Sequence, residues 1–335
     1  MTLLELTDVS ISYSVDATEL HAVDNVSFDA EEGEIIGIVG ESGCGKTTLA
    51  KSILQLLPPN GRVDQGEIMW KGEDLVQLSR KDLNKSIRWK EISWIAQSAM
   101  NALDPVYTIG AQLRETLKIH SYDEKPIDEQ VDYLLKRVGI DPGRKRNYPH
   151  ELSGGQRQRV VIAMALALDP PMIIADEPTT GLDVGIQKEI LDLITEIQTN
   201  RGMTMLLITH DINVVAEIAD RVLVMYAGQL IEQGTKQEIF DDPSHPYTIG
   251  LQNAFPRLGQ RSRTLVTIPG APPNLVDPPS GCRFKTRCPF STDECSIDPP
   301  LETTSNGHVA KCHYTEKKDE FQEMGQIPGT WVDRR

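Results

Sequence analysis

The stretch Gly40-Glu41-Ser42-Gly43-Cys44-Gly45-Lys46-Thr47 matches the phosphate-binding pattern G-x-x-x-x-G-K-[ST] at every defined position. The apolar run Ile35–Val39 before it predicts a buried strand, and residues 48–54 after it have helical spacing. In this order of strand, loop and helix, glycines let successive N–H groups point at phosphate oxygens, and the helix N-terminus adds partial positive charge. The stretch therefore predicts a nucleotide site, with Lys46 on the β and γ phosphates and the Thr47 hydroxyl on Mg²⁺.

Length and charge restrict the class of protein. The chain has 335 residues, which favours two domains. Its 34 Lys and Arg against 49 Asp and Glu give a net charge of −15, which disfavours nucleic acid as the main partner. The sequence has no apolar run of about 18 residues, and Met1–Asp8 lack the basic start and cleavage site of a signal peptide. We therefore expect a cytoplasmic protein that does not span a membrane by itself.

The periodicity of the chain predicts an α/β fold. Residues 3–13 and 22–28 alternate apolar and polar side chains, which predicts an antiparallel β layer. Residues 109–139 have helical spacing, and later apolar strands alternate with helices, which is typical of a parallel sheet. Ligands of such a sheet bind at the carboxyl ends of its strands. The motif residues at the carboxyl ends of the predicted strands are Gly40, Gln97, Asp176 and His210.

Two adjacent acids end one of these strands. The stretch 172–177 predicts an apolar strand that ends in the two acids Asp176 and Glu177. Next to a phosphate loop, Asp176 has the position of a residue that holds Mg²⁺. Glu177 is then placed to polarise a water molecule against the γ-phosphate as a general base.

The sequence Leu152-Ser153-Gly154-Gly155-Gln156 resembles the LSGGQ signature of ATP-binding-cassette (ABC) transporter ATPases. The resemblance covers residues 3 to about 250, with the motifs in the family's order. It implies that Gln97 is the Q-loop glutamine, that Gly181-Leu182-Asp183 is the D-loop, and that His210 is the switch histidine on the γ-phosphate. Tyr13 resembles the aromatic residue that stacks on adenine, although an alternating strand also uses aromatics for core packing.

Carried over residue by residue, the resemblance implies three sets of site residues. Those implied to contact ATP are Tyr13, Gly40, Ser42, Gly43, Gly45, Lys46, Thr47, Thr48, Gln97, Asp176, Ser153, Gly155, Gln156 and Asp183. Those implied to hold Mg²⁺ are Thr47, Gln97 and Asp176. Those implied to be catalytic are Glu177, His210, Gln97 and Lys46.

The resemblance also implies an architecture and partners. It implies a P-loop ABC ATPase fold over residues 1–250, with an antiparallel β layer and a helical subdomain at about 100–168. In this family the signature closes over the nucleotide of a second ATPase subunit, commonly a paralogue, so that two ATP molecules are sandwiched between two chains. Closure drives two transmembrane permease subunits, to which an extracellular solute-binding protein delivers the cargo. The chain is then expected at the cytoplasmic face of the cell membrane.

Residues 251–335 differ in composition and predict a small, irregular, Cys-rich C-terminal domain. Prolines are frequent there, and four cysteines are clustered in it: Cys282, Cys288, Cys295 and Cys312. In a reducing cytoplasm clustered thiols are more often metal ligands than disulfides. The spacing has no C-x-x-C pair, so four thiolates can hold either Zn²⁺ or a [4Fe-4S] cluster. The polar tail from Tyr314 onward is expected to pack loosely.

The segment His245-Pro246-Tyr247-Thr248, followed by these cysteines, resembles the ATPases of oligopeptide and dipeptide importers. That resemblance favours iron–sulfur over zinc, with a structural or regulatory role. Arg283, Lys285 and Arg287 then either offset the charge of the cluster or form a solvated loop.

The predicted function is therefore that of an ATP-hydrolysing subunit of an importer for oligopeptides, dipeptides or a related small solute. The same machinery importing sugars or nickel is an alternative. A second alternative is a soluble ABC ATPase acting on ribosomes or nucleic acid, which the single cassette and the acidic charge disfavour. An enzyme with its chemistry at the cysteine cluster has little support, because four cysteines leave no obvious position for a substrate.

Overall fold

The structure is a computed structural model that describes residues 1–16, 18–97, 102–254, 266–305 and 307–331. Residues 100 and 101 of the predicted helical subdomain lie outside the described residues, as do 255–265, 306 and 332–335 of the predicted C-terminal domain. The chain divides into two compact units. The first consists of Met1, Glu31–Ile35 and Gln77–Ile208, and the second of Thr2–Ala30, Ile36–Val76 and Thr209–Arg335. The boundary near residue 250 stays a prediction.

The described residues form the following elements. The strands are β1 (Thr2–Val15), β2 (Thr18–Glu31), β3 (Ile35–Val39), β4 (Gly61–Trp70), β5 (Glu73–Asp74), β6 (Ile92–Ile95), β7 (Met172–Asp176), β8 (Thr204–Ile208), β9 (Arg221–Tyr226), β10 (Gln229–Thr235), β11 (Leu301–Ser305) and β12 (His308–Lys311). The α-helices are α1 (Lys46–Ile53), α2 (Arg80–Asp82), α3 (Ile109–Ile119), α4 (Ile127–Arg137), α5 (Gly154–Ala165), α6 (Val184–Arg201), α7 (Ile212–Ile218), α8 (Lys236–Asp241), α9 (Pro246–Asn253) and α10 (Lys318–Gly325). None of these helices is long and apolar enough to cross a membrane.

Parallel strands form the sheet of the first unit. β6 pairs with β7 and β7 with β8, in parallel register, with Met172 opposite both Ile92 and Thr204. Every residue of β7 and β8 is buried, as expected for strands covered on both faces. Because the strands are parallel, the chain leaves β6 and β7 at the same edge. The segments that begin after these two strands are therefore neighbours.

Helices of the first unit supply the rest of its core. The predicted helical stretch 109–139 is present as α3 and α4, separated by a turn in which Ser121 has a φ of 55°, in the left-handed region. The apolar face predicted from the sequence is buried, and its members are Leu113, Leu117, Val131, Leu134, Leu135 and Val138.

The second unit contains the predicted antiparallel β layer. β1 pairs with β4 in antiparallel register, with Leu4 opposite Trp70, and the strand order is β2-β1-β4-β5. In the same unit β3 lies parallel to β9, while β10, β12 and β11 follow in antiparallel pairs. The phosphate loop leaves β3 beside the end of β9, which places it at the carboxyl edge of two parallel strands.

In the described part of the C-terminal region, residues 266–305 and 307–331, the strands are β11 and β12 and the α-helix is α10, and the tail is firmly packed. Phe321 on α10 and Trp331 are buried, and the indole Nε1 of Trp331 donates to the Gly325 carbonyl at 2.9 Å. The rings of Phe290 and Phe321 are stacked with centroids 4.2 Å apart. The expectation of a loosely packed tail is therefore wrong for residues 314–331. Although most of its side chains are polar, the segment contains two large apolar side chains that are buried.

Candidate functional site

The phosphate loop depends on glycines at positions where the backbone approaches another strand. Gly45 has a φ of 104°, and a Cβ placed on it would lie 2.3 Å from the Ala22 carbonyl oxygen. A Cβ on Gly40 would lie 2.1 Å from the Met225 carbonyl oxygen. A side chain at either position would therefore have to displace backbone atoms. These contacts explain the first and last glycines of the motif by local packing.

Lys46 points back into this loop. Its side chain is buried, and Nζ donates to the carbonyl oxygens of Gly40 at 2.7 Å and Glu41 at 3.0 Å. A cation held inside a glycine loop at the start of a helix has the chemistry of a phosphate site. Burial raises the pKa of the neighbouring Cys44 thiol, so Cys44 is neutral at physiological pH.

Tyr13 lies beside the start of α1. Its hydroxyl and the Thr48 Oγ1 are 3.1 Å apart, and its ring contacts Gly61, where a Cβ would lie 2.6 Å from the Tyr13 Cε1. The side chain is partly exposed rather than part of the core. This position next to the phosphate loop is compatible with the predicted stacking on adenine and argues against simple core packing.

The other predicted site residues of the second unit lie in the phosphate loop, in the first turn of α1 or after β8. Ser42 and Gly43 are exposed at the tip of the loop, and Thr47 is partly exposed in the first turn of α1. His210 is exposed and lies two residues after the end of β8.

The two acids after β7 differ in environment and backbone. Asp176 is 2% exposed at the last position of the strand. Glu177 has a φ of 48°, and its N–H donates to the Ile208 carbonyl at 2.7 Å. A non-glycine residue in the left-handed region costs about 1–3 kcal/mol and occurs preferentially at functional sites. The turn at Glu177 therefore aims its side chain away from the direction that a continuing strand would impose.

Gln97 and Glu177, predicted from two separate strands, are in contact. The Gln97 Nε2 donates to the Glu177 Oε2 at 2.8 Å. The Thr180 hydroxyl donates to the same oxygen at 2.7 Å. Two donors on one carboxylate oxygen hold the carboxylate in a single orientation, as a general base requires. Sequence reasoning missed Thr180, since a Thr three residues after an acid has no distinctive pattern.

The signature residues begin α5 and lie beside the start of α6. The Ser153 Oγ accepts from the Gln156 N–H at 3.3 Å, and the Gln156 Oε1 accepts from the Ser153 N–H at 3.1 Å, which is a capping box. A Cβ on Gly155 would lie 2.6 Å from the Ile186 Cγ2. The Asp183 Oδ1 accepts from the Ile186 N–H at 3.1 Å and caps α6. Two helix starts with their N–H groups therefore lie side by side.

The four clustered cysteines line one cavity. Phe284 and Phe290 also line it. Burial raises the pKa of the Cys282, Cys288 and Cys312 thiols, that of Cys312 to about 12. Among the residues that the structure describes, no three His, Cys, Asp or Glu side chains are arranged to hold a metal ion. Four thiols are the donor set of either a Zn²⁺ site or a [4Fe-4S] cluster, so the bound metal stays a prediction.

The arginines between these cysteines do not form a solvated loop. Arg283 is buried and its Nη2 lies 2.5 Å from the Asp24 Oδ2. Arg287 is paired with Glu41 of the phosphate loop. Lys285 donates to the Ser280 carbonyl at 2.7 Å. The interpretation as a solvated loop is therefore wrong for Arg283 and Arg287, because each has a carboxylate partner from a distant part of the chain.

A glycine-rich loop before a helix, a buried strand that ends at Asp176 and a capped helix that begins at the signature stand in the chain in the order typical of an ATP-binding cassette. The family model described as "ABC transporter" matches residues 23–180, and the model described as "Oligopeptide/dipeptide transporter, C-terminal region" matches residues 231–295.

Curated relatives extend over almost the whole chain. The dipeptide transport ATP-binding protein DppD of Bacillus subtilis is 46% identical over 322 residues, which is 95% of this chain and 96% of that protein. The oligopeptide transport ATP-binding protein OppD of Haemophilus influenzae is 44% identical over 319 residues, or 94% and 98% of the two chains. The chain therefore belongs to the family of ATP-binding subunits of oligopeptide and dipeptide ABC transporters, and it is an ABC-type ATPase.

Solved structures agree on the fold. The ATP-binding cassette MJ0796, in a dimeric post-hydrolysis state bound to ADP and Pi, has a TM-score of 0.62 and 29% identity, and the match covers 70% of this chain and 98% of that one. CbiO1 of Clostridium perfringens, part of the ABC transporter complex cbiONQ, has a TM-score of 0.62 and 30% identity over 75% and 95% of the two chains. The predicted α/β cassette fold is thereby confirmed.

Proposed function

We propose that this chain hydrolyses ATP to drive the import of oligopeptides or dipeptides. The observation that carries the hydrolytic part is the Glu177 carboxylate, which two hydrogen bonds from Gln97 and Thr180 hold at the carboxyl edge of parallel strands. Peptide as the cargo is supported by the names of relatives that are 42–46% identical over most of the chain. Sugars and nickel are the alternative cargoes.

Each predicted residue has a role in the proposed reaction. The loop N–H groups and Lys46 bind the β and γ phosphates, and Tyr13 stacks on adenine. Thr47, Gln97 and Asp176 would hold Mg²⁺, which would neutralise phosphate charge. Glu177 accepts a proton from the water that attacks the γ-phosphate. His210 donates a hydrogen bond to the γ-phosphate oxygens, over which the negative charge of the transferred phosphoryl group is spread, and the leaving ADP oxygen takes the electron pair of the breaking bond.

The working assembly that we propose contains a second ATPase subunit. Ser153, Gly155, Gln156 and Asp183 then contact the ATP of that subunit, and two nucleotides are enclosed between two chains. The capping box at the start of α5 supports this role, because it orders a helix N-terminus whose remaining N–H groups attract an anion. MJ0796, whose cassette has the same fold, forms a dimer with ADP and Pi.

The remaining partners follow from the same proposal. Two transmembrane permease subunits and an extracellular solute-binding protein complete the importer, the second ATPase is a paralogue, and the chain is peripheral at the cytoplasmic face of the membrane. Residues 1–250 then form the nucleotide-binding domain, and 251–335 form a Cys-rich domain.

For the Cys-rich domain we propose a [4Fe-4S] cluster held by Cys282, Cys288, Cys295 and Cys312, with Zn²⁺ as the alternative. The support is the donor chemistry, since all four thiols line one cavity. Protein purified without oxygen should contain about four iron atoms per chain and absorb in the visible range, and Cys288→Ser should lose both. Cys44→Ser is the matched control, because Cys44 lies in the phosphate loop. A colourless protein with stoichiometric zinc would contradict the cluster.

Reconstitution tests the importer. The tagged chain should co-purify with two polytopic membrane proteins and a second ATPase, and peptide-loaded binding protein should stimulate ATP hydrolysis by the complex in vesicles. Lys46→Met should abolish that stimulation while leaving assembly intact, because it removes the phosphate-binding cation alone. Stimulation by binding protein loaded with a sugar or with nickel, and not with peptide, would show that the cargo is that solute instead. Recovery of ribosomes or nucleic acid, without membrane proteins, would refute import.

A further inference from the structure

A guanidinium from the Cys-rich region lies on the phosphate loop. The Arg287 Nη1 is 2.8 Å from the Glu41 Oε2, and Nη2 is 2.9 Å from the Glu41 Oε1. This is a two-pronged, charge-assisted pair, the strongest arrangement of these groups. The Arg287 side chain is 6% exposed and the Glu41 side chain 25% exposed. The pair is therefore partly shielded from water, and it joins residues 246 positions apart.

The orientation of Arg287 is determined by further contacts. Its Nε donates to the Pro269 carbonyl at 2.9 Å, and Nη1 also donates to the Tyr226 hydroxyl at 3.2 Å. Burial disfavours the charged guanidinium, but the hydrogen bonds to Glu41 and Tyr226 outweigh this effect and raise the pKa of Arg287. Arg287 is therefore permanently charged, and its guanidinium is held in one orientation.

Glu41 connects this cation to Lys46. The Glu41 carbonyl accepts a hydrogen bond from the Lys46 Nζ at 3.0 Å, and the Glu41 N–H donates to the Tyr247 hydroxyl at 3.0 Å. Glu41 is thus held through its carboxylate, its N–H and its carbonyl. A shift of this residue would move an acceptor of the phosphate-binding lysine.

Charge gives the pair a second effect. Glu41 is the second residue of a loop that binds the polyphosphate of ATP, where a free carboxylate would repel the ligand. At the effective dielectric of about 20 near a protein surface, two like charges roughly 12 Å apart weaken binding by about tenfold, and a shorter separation weakens it more. Arg287 neutralises the carboxylate at a distance where salt screens little.

We propose that Arg287 is a positioning residue for ATP binding, which holds the first turn of the phosphate loop through Glu41 and cancels the charge of that carboxylate. The inference rests on the ATP site proposed above. Arg287 acts through Glu41 and Lys46 rather than on the nucleotide itself.

Substitutions at both partners test the inference. In the full-length chain, Arg287→Met should raise the Kd of a fluorescent ATP analogue about tenfold. In the assembled transporter it should raise KM for ATP by a similar factor and change kcat little. The reason is that contacts with the phosphates stabilise the bound substrate and the transition state equally. The Kd of Arg287→Lys should lie between those of the wild type and Arg287→Met, since an ammonium keeps the positive charge but lacks the two parallel N–H donors of a guanidinium. Glu41→Gln in the Arg287→Met background should restore most of the affinity, because no carboxylate is left unpaired.

The control variant is Arg221→Met. The Arg221 Nη1 lies 3.1 Å from the Asp29 Oδ1, in a partly buried pair at the opposite end of the strand that carries Tyr226. Arg221→Met and Arg287→Met should both lower the thermal unfolding temperature. Arg221→Met should nevertheless leave the Kd for ATP unchanged.

The outcomes separate the inference from the proposed function. Wild-type affinity in Arg287→Met would overturn the inference, and so would a double variant no better than Arg287→Met, because the loss would then reflect packing alone. An equal loss of affinity in Arg221→Met would also overturn it. Absence of ATP binding by the wild-type chain would instead refute the proposed ATP site.

Discussion

Replacing Glu177 by Gln tests the assignment of the general base with the smallest change in structure. The substitution exchanges one carboxylate oxygen for an amide nitrogen. The remaining amide oxygen can still accept from Gln97 and Thr180, whose donor atoms lie 2.8 and 2.7 Å from the Glu177 Oε2. Both residue types pay the same backbone cost at a φ of 48°. We therefore expect the fold and ATP binding to survive, with only the proton acceptor removed.

The expected loss of kcat follows from the role of Glu177 as a general base. A positioned general base contributes about 10²–10⁴ in rate, which corresponds to about 2.7–5.4 kcal/mol of activation free energy. The kcat for ATP hydrolysis by the assembled transporter should therefore fall at least about 100-fold. The Kd of a fluorescent ATP analogue should change less than about threefold, within 1 kcal/mol.

The assay pairs steady-state hydrolysis with nucleotide retention. If hydrolysis reopens the ATP-enclosing dimer, the Glu177→Gln chain should retain ATP and elute as a dimer with its partner in size-exclusion chromatography. Near-normal turnover in this variant would refute the assignment of Glu177 as the base. A variant that neither binds nor hydrolyses ATP would show that the carboxylate is needed for the structure of the site.

Three further predictions concern the loop, the orientation of the base and pH. Gly45→Ala should abolish ATP binding, because its Cβ would lie 2.3 Å from the Ala22 carbonyl oxygen, whereas Gly43→Ala, with no atom within 4 Å of its Cβ, should only weaken it; equal nucleotide titrations would contradict this. Thr180→Val should lower kcat up to about tenfold by removing a hydrogen bond to a carboxylate, and Thr180→Ser should retain activity; equal rates for the two variants would exclude the role. Burial lowers the pKa of His245 to about 3. The unfolded chain therefore binds the extra proton below about pH 6.5, and stability should fall by about 2 kcal/mol from pH 6.5 to pH 5. His245→Asn should remove that slope in urea unfolding, and an unchanged slope would refute it.

Several features of the site were predictable because they depend on neighbours in the chain. The phosphate loop, the acids after β7 and the capped signature helix are each encoded within about eight consecutive residues. The meeting of Gln97 with Glu177 was also predictable, since parallel strands bring their carboxyl ends to one edge. In the structure the two side chains are joined by a hydrogen bond of 2.8 Å.

Other features were not predictable because their partners are remote and their patterns are ordinary. Arg287 was interpreted from its neighbouring cysteines, whereas its carboxylate partner Glu41 is 246 positions away. The packing of Trp331 depends on a contact with Gly250, where a Cβ would lie 2.5 Å from the indole. Average polarity of the tail therefore gave the wrong expectation.

The sequence by itself determined the class of protein, the order of its nucleotide motifs and the residue types that each step of hydrolysis needs. It could do so because strand periodicity, glycine loops and helix caps are local properties of the chain. Only the tertiary structure decided which side chains hold the base and the phosphate loop in place. Those choices depend on long-range ion pairs and hydrogen bonds, such as Arg287 on Glu41, which form only after the backbone brings distant segments within about 3 Å.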